Sequence, residues 1–163
     1  MIKFRDIGAY KAAQNIPYCT TSVALHNGMG VTVDFASKTV ALPNATTAKE
    51  DVFLVMNRYD KPEVNSPNEY VINPGEYPRL FRVKSLDGYI LDLDMDQVTG
   101  EYSSIAVGDK LGFGTDGKMV EISDVADYLT YFEVIEKTTF NGQGLAVRVI
   151  AQAPTTTSPG VGG

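Results

Sequence analysis

Apolar and polar residues alternate along this chain in short stretches, with turn-forming residues between them. Successive side chains of an extended strand point to opposite faces, so a period of two marks a strand with one buried face. Val31-Thr32-Val33-Asp34-Phe35 and Lys38-Thr39-Val40-Ala41-Leu42 alternate on either side of Ala36-Ser37 and predict a hairpin. Residues 80–86 and 89–94 flank Asp87-Gly88, residues 110–115 and 118–122 flank Asp116-Gly117, and residues 131–140 and 145–150 flank Asn141-Gly142. Asp-Gly and Asn-Gly tolerate the positive φ that tight two-residue loops require, so each pair predicts a further hairpin. Residues 51–59 are almost continuously apolar in their middle, which predicts a strand covered on both faces and crossing the centre of the domain.

Helical signals are few. Residues 123–129 could form one or two turns with Ser123 as N-cap, and residues 47–51 another turn. The expected fold class is therefore all-β, a small antiparallel β-barrel or sandwich built from hairpins. Residues 1–29 show little periodicity and read as an irregular N-terminal arm or covering segment, and residues 30–152 as the β-barrel domain. Residues 153–163, rich in Thr, Pro and Gly, have almost nothing to bury and read as a flexible C-terminal tail that would order only against another chain. Residues 59–68 read as an exposed loop, and residues 73–78 as a turn between two strands.

Composition narrows the function. The 163 residues are 44% hydrophobic and 21% charged, as expected of a folded soluble domain. A net charge of −6 opposes general phosphate binding, so no nucleic-acid partner is expected. No apolar run approaches the roughly 18 residues that cross a bilayer, and the N-terminal stretch lacks a secretory pattern, so synthesis in the cytoplasm and no membrane partner are expected. One cysteine, Cys19, and one histidine, His26, leave no intrachain disulfide and no Cys/His zinc set.

The most suggestive chemical group is the row Asp92, Asp94 and Asp96, three hard oxygen donors that could share a calcium or magnesium ion. As a calcium loop it breaks down at Gln97, where glycine is needed, and at Ser103, where a bidentate Glu is needed. Alternation supplies the plainer account, with Leu91, Leu93 and Met95 facing the core and the aspartates facing water. Residues 87–136 carry 12 acids against Lys110 and Lys118, which suggests either an acidic docking surface or a solvated acidic face. His26 has no neighbouring nucleophile, Cys19 has no cationic sequence neighbour, and Gly112-Phe113-Gly114-Thr115-Asp116-Gly117 lacks the strand-to-helix setting of a phosphate cradle. Tyr10, Tyr18, Tyr59, Tyr70 and Tyr77 could form a sugar-binding platform or fill a core or an interface. No catalytic constellation and no cofactor site emerges, and the chain reads as non-enzymatic.

Gly30-Val31-Thr32-Val33-Asp34, the run Val107-Gly108-Asp109-Lys110-Leu111-Gly112-Phe113, and Tyr131-Phe132-Glu133-Val134-Ile135-Glu136 with Leu145-Ala146-Val147-Arg148-Val149 resemble the small β-barrel head decoration, or cement, proteins of tailed bacteriophages. The resemblance spans residues 30–150 in style and includes no catalytic residues. It implies a virion protein on the capsid exterior that binds the major capsid protein, bridges neighbouring capsid subunits and contacts other copies of itself. A β-barrel module binding carbohydrate or calcium, and another virion component such as a tail protein, fit the same features.

Overall fold

The computed structural model describes residues 1–6, 15–58 and 67–153. In chain order the strands are β1 (Ile2–Phe4), β2 (Asn15–Ile16), β3 (Thr20–Thr21), β4 (Leu25–His26), β5 (Gly30–Asp34), β6 (Thr39–Ala41), β7 (Phe53–Val55) and β8 (Val71–Ile72). They continue with β9 (Leu80–Arg82), β10 (Ile90–Asp94), β11 (Val98–Thr99), β12 (Lys110–Phe113), β13 (Met119–Glu121), β14 (Thr130–Thr138) and β15 (Gly144–Ala151). One sheet has the order β1-β10-β15-β14-β12-β13-β11, a second has β2-β9-β7-β5-β6-β3, and β4 pairs with β8. Pairing is antiparallel except between β11 and β13 and between β3 and β6. The fold is an all-β sandwich, and its sheets do not close into a barrel.

The middle of the chain explains why there are three layers. From Val52 to Met56 every residue is buried, and the period of two sends alternate side chains to two different cores. Val52, Leu54 and Met56 join Leu91, Leu93, Phe132 and Val147 in the main core between the sheets. Phe53 and Val55 join Cys19, Leu25, Val31, Val40, Tyr70, Ile72 and Leu80 in a second core on the other face of the smaller sheet. An apolar run was needed here because β7, lying between β5 and β9, has no face left for solvent. Each such side chain removed from water stabilises the fold by about 1.5–3 kcal/mol.

Three of the expected hairpins form: β5 with β6, β12 with β13, and β14 with β15. At the last, Asn141 and Gly142 both take positive φ, 51° and 99°. The Asp87-Gly88 hairpin does not form. β9 pairs with β2 and β7, β10 pairs with β1 and β15, and a 3-10 turn at Val83–Leu86 carries the chain from one sheet to the other. Asp87 at φ −50°, ψ 129° and Gly88 at φ 80°, with the Tyr89 N–H donating to Leu86 O at 2.9 Å, make a type II turn. That turn needs positive φ at its second central residue alone, so Asp-Gly serves it as well as it serves a hairpin.

Residues 123–129 form no helix; Asp124 Oδ1 accepts the Ala126 N–H at 2.9 Å in a turn, a role expected of Ser123. Residues Thr47–Lys49 do form a 3-10 turn, with Asn44 Oδ1 accepting the N–H groups of Thr46 and Thr47 at 2.9 Å each. Of the segment expected as an arm, residues 1–29, the described residues 1–6 and 15–29 contribute strands to the sheets. β1 is an edge of the larger sheet with Ile2 and Phe4 in the main core, and β2 and β3 are the two edges of the smaller sheet. Two or three residues per strand are too few for periodicity to register in sequence. Residues 59–66 of the expected loop 59–68 and residues 154–163 of the expected tail 153–163 lie outside the described residues, as do Tyr10 and Tyr59.

Candidate functional site

The aspartate row sits on β10 and the 3-10 turn Met95–Gln97 that follows it. Leu91 and Leu93 face the main core, as alternation requires, but the opposite face is not solvated. Asp92 and Asp94 are buried, with 6% and 2% exposure. β10 lies between β1 and β15, and side chains from β1 and from distant loops fold over its outer face. Arg5 donates to Asp92 Oδ1 through Nε at 3.0 Å and Nη2 at 2.5 Å, and Lys3 Nζ lies 3.8 Å from Asp92 Oδ2. Asp94 Oδ2 accepts from the Asn68 amide at 3.1 Å and the Asn141 amide at 2.6 Å, and it pairs with the Met1 amino group. Asp96 is exposed and accepts a hydrogen bond from the same Asn68 amide. Three aspartates at alternate positions therefore have different surroundings, Asp92 held by Arg5 and Lys3 while Asp94 and Asp96 share the Asn68 amide. Among the described residues no group of three or more His, Cys, Asp or Glu side chains converges to hold a metal ion.

Five of the twelve acids in residues 87–136 meet cations: Asp92 and Asp94 as above, and Asp127, Glu133 and Glu136. Arg5 also reaches Glu136 at 2.8 Å, Lys49 pairs with Asp127 at 3.1 Å, Lys110 pairs with Glu133 at 2.6 Å, and Arg148 pairs with the other Glu133 oxygen. The ammonium and guanidinium on either side hold the Glu133 carboxyl below the usual carboxylate range, Lys110 contributing most. Arg5, Lys49 and Arg148 come from outside the acidic run, and folding brings them to it. Asp87, Asp96, Glu101, Asp116, Glu121 and Asp124 remain as exposed carboxylates.

Of the candidate tyrosines, the described ones, Tyr18, Tyr70 and Tyr77, do not all share one surface. Tyr70 is buried in the second core, whereas Tyr18 and Tyr77 are 51% and 62% exposed. Backbone bonds do bring the segments carrying Tyr18 and Tyr77 together, Thr21 N–H to Glu76 O at 3.1 Å and Gly75 N–H to Thr21 O at 2.8 Å. His26 is exposed and, with Asn68, Asp96 and Lys118, lines a depression of about 230 Å³. Cys19 is fully buried in the second core, where loss of solvation pushes its thiol pKa up. The glycines at 112–117 serve packing and turning: Gly112 lies under the Tyr128 ring, and Gly117, at φ 79°, brings the β12–β13 turn against β5.

Two larger depressions carry other residues. One, about 530 Å³, opens beside Met1, Ile2, Asn27, Met56, Asn57, Arg58 and Arg79. Another, about 510 Å³, is bordered by Phe35, Phe53, Asp34, Glu50, Asp51 and Leu129. Neither is readable in sequence, because each is assembled from segments separated by tens of residues with no shared motif.

Compared with protein-family models, curated proteins and solved structures, the chain matches none. The class is accordingly set by the fold alone: a two-sheet β-sandwich with an additional β layer over its smaller sheet.

Proposed function

We propose that this is a non-enzymatic structural protein of a bacteriophage virion, which decorates the outside of the head and stabilises it by bridging neighbouring capsid subunits. The observation that supports this reading most is the distribution of exposed large apolar side chains. Tyr18, Phe35, Tyr77 and Val107 are 46–62% exposed on a body with two packed cores, Tyr18 and Tyr77 on adjoining segments and Phe35 and Val107 on two others. A pocket enzyme concentrates its apolar surface in one cleft, whereas a protein seated between several subunits needs several small anchors around a rigid frame. Aromatic anchors of this kind carry a large share of interface energy, and many copies on a symmetric shell multiply weak contacts.

The test is cosedimentation of the purified protein with heads that lack it, using the intact chain, a chain truncated after Ala153, and the surface variants Tyr18→Ser, Phe35→Ser, Tyr77→Ser and Val107→Ser. Saturable binding, weakened about tenfold or more by at least one surface variant, is expected. Absence of binding by the intact chain, together with heads equally stable with and without it, would overturn the reading. Binding to isolated tails in place of heads would move the protein to another virion position.

A further inference from the structure

The depression beside Phe35 and Phe53 has borders that are both aromatic and acidic. Phe35 is 46% exposed and meets the Phe53 ring edge-on, with centroids 6.1 Å apart and planes at 73°, so much of its own ring faces solvent. Val33 and Leu129 extend the apolar part, and Asp34, Glu50 and Asp51 supply three carboxylates. Two cations of the neighbourhood are engaged within the fold. Arg82 Nη2 pairs with Asp51 Oδ2 at 2.7 Å, its guanidinium carbon 5.4 Å from the Phe53 centroid, and Lys49 is turned to Asp127 at 3.1 Å and to the Tyr128 ring at 5.6 Å. Asp51 and Phe53 thus already seat one guanidinium between a carboxylate and an aromatic face. Glu50 and Phe35, both exposed on the same border, present that pair of groups to an incoming cation.

The frame around these groups is fixed before any ligand arrives. Asp34 Oδ1 accepts the Ala36 N–H at 2.8 Å and the Ser37 N–H at 3.3 Å, and Asp34 Oδ2 accepts the Ser37 hydroxyl at 2.8 Å. These bonds, the Ser37 hydroxyl's first, hold the Asp34 carboxyl below the usual carboxylate range and set the bend that carries Phe35. On the opposite border the Ala48 N–H donates to Asn44 O at 2.9 Å and the Glu50 N–H to Thr47 O at 3.2 Å, closing the turn at Thr47–Lys49. The Leu129 N–H donates to Lys49 O at 2.8 Å. Glu50 and Leu129 are therefore tied to one turn, which lowers the ordering cost of binding.

We infer that this depression is a docking site for a basic segment of a partner protein, seating an arginine with its guanidinium against Phe35 and Glu50 and its aliphatic stem on Leu129. Charge complementarity selects the basic segment. A planar guanidinium stacks on an aromatic ring while its edge donates to a carboxylate, a combination that a compact, strongly hydrated ammonium does not match, so the aromatic border selects arginine. A volume of about 510 Å³ suits a segment several groups long, whereas a single small cation would leave the apolar border bare. Phe35 is one of the anchors named above, but the inference does not rest on the capsid reading, since it concerns which chemistry this face accepts and not where the partner resides.

The probe is a fluorescein-labelled hexapeptide of alternating arginine and serine, followed by fluorescence anisotropy with the intact protein. Saturable binding that weakens with added salt is expected, with a loss of about fivefold or more for Glu50→Lys and about threefold or more for Phe35→Ala. Both side chains are exposed, so these variants are expected to fold. Phe35→Tyr, which keeps an aromatic face, is expected to bind like the parent, as is Glu121→Lys, an equal charge change at another exposed site. A citrulline-for-arginine peptide is expected not to bind. No saturation up to about 1 mM peptide, equal losses for Glu50→Lys and Glu121→Lys, or unchanged affinity in Phe35→Ala would overturn the proposal. Binding seen only in a chain truncated after Ala153 would overturn it too, by giving the depression to the chain's own C-terminal end.

Discussion

Arg5 grips Asp92 with two N–H groups on a single carboxylate oxygen, Nε at 3.0 Å and Nη2 at 2.5 Å, on the outer face of the larger sheet. Its remaining arm reaches Glu136 at 2.8 Å. Asp92 and Glu136 are both register partners of Ala146, so the guanidinium crosses β15 where the side chain is a methyl group. Both carboxylates raise the guanidinium pKa further above its ordinary value, the Asp92 hydrogen bond most. The result fastens the end of the N-terminal edge strand across three strands of its sheet.

Arg5→Met leaves Asp92 buried with only the longer Lys3 contact, so a loss of about 1–3 kcal/mol is expected; the partial exposure of Arg5 sets the modest upper end. Adding Asp92→Leu to Arg5→Met is expected to recover most of that loss, because the stranded charge is gone. Urea midpoints of the parent, both single variants and the double variant measure the coupling. Additive losses would show that the two side chains do not depend on each other.

Gly30→Ala tests the contact between the sheets. A Cβ at Gly30 would stand 2.3 Å from the Phe113 ring, and Phe113 is itself packed edge-on against Phe132 in the main core. The Gly30 N–H donates to Gly117 O at 2.7 Å, so β5 cannot retreat without losing that bond. A destabilisation of about 1–3 kcal/mol is expected from the overpacking. Gly142→Ala, whose Cβ meets nothing, is expected to suffer only from its φ of 99°, and Phe113→Leu is expected to rescue Gly30→Ala in part.

These two sites show what the sequence conveys. Alternation in residues 31–42 and 110–122, and the continuous apolar run at 52–56, were legible because each lies within one segment and obeys one period. The inward placement of Leu91 and Leu93 was legible for the same reason. Burial of Asp92 and Asp94 was not, because it depends on Arg5, Asn68 and Asn141 arriving from 26 to 87 residues away. The Asp87-Gly88 step misled because one dipeptide satisfies two turn types, and only the pairing of the flanking strands decides between them. The depression beside Ile2 and Met56 left no trace because it is lined by segments far apart in sequence that share no motif.

Glu133 supplies a pH signature. Its folded pKa is lowered below the ordinary 4.5 by Lys110 first and Arg148 second, so its contribution to stability is present above the ordinary value and is lost as pH falls through the folded one. Glu133→Gln removes that contribution. Urea denaturation at neutral pH is expected to show the variant less stable than the parent, and the gap is expected to narrow as pH drops below 4.5. A gap that is constant with pH would mean that the variant loses packing and not charge.

Cys19 reports on the second core independently of the first. Its side chain is fully buried and its thiol pKa is raised by loss of solvation, so both access and thiolate fraction suppress its reaction with a disulfide reagent. Labelling of the native protein is expected to run at less than about one thousandth of the rate in denaturant. The dependence of that rate on urea carries the further information. The layer over Cys19 is closed by the two-residue pairing of β4 with β8 and by the two-residue pairing of β3 with β6, while the main core is closed by the long β14–β15 ladder. Short ladders open at lower free energy and expose less surface than the whole fold, so a labelling rate nearly flat at low urea is expected, steepening only near the global transition. A rate that follows global unfolding from the first addition of urea would show that both cores form one cooperative unit and that the covering layer has no opening of its own.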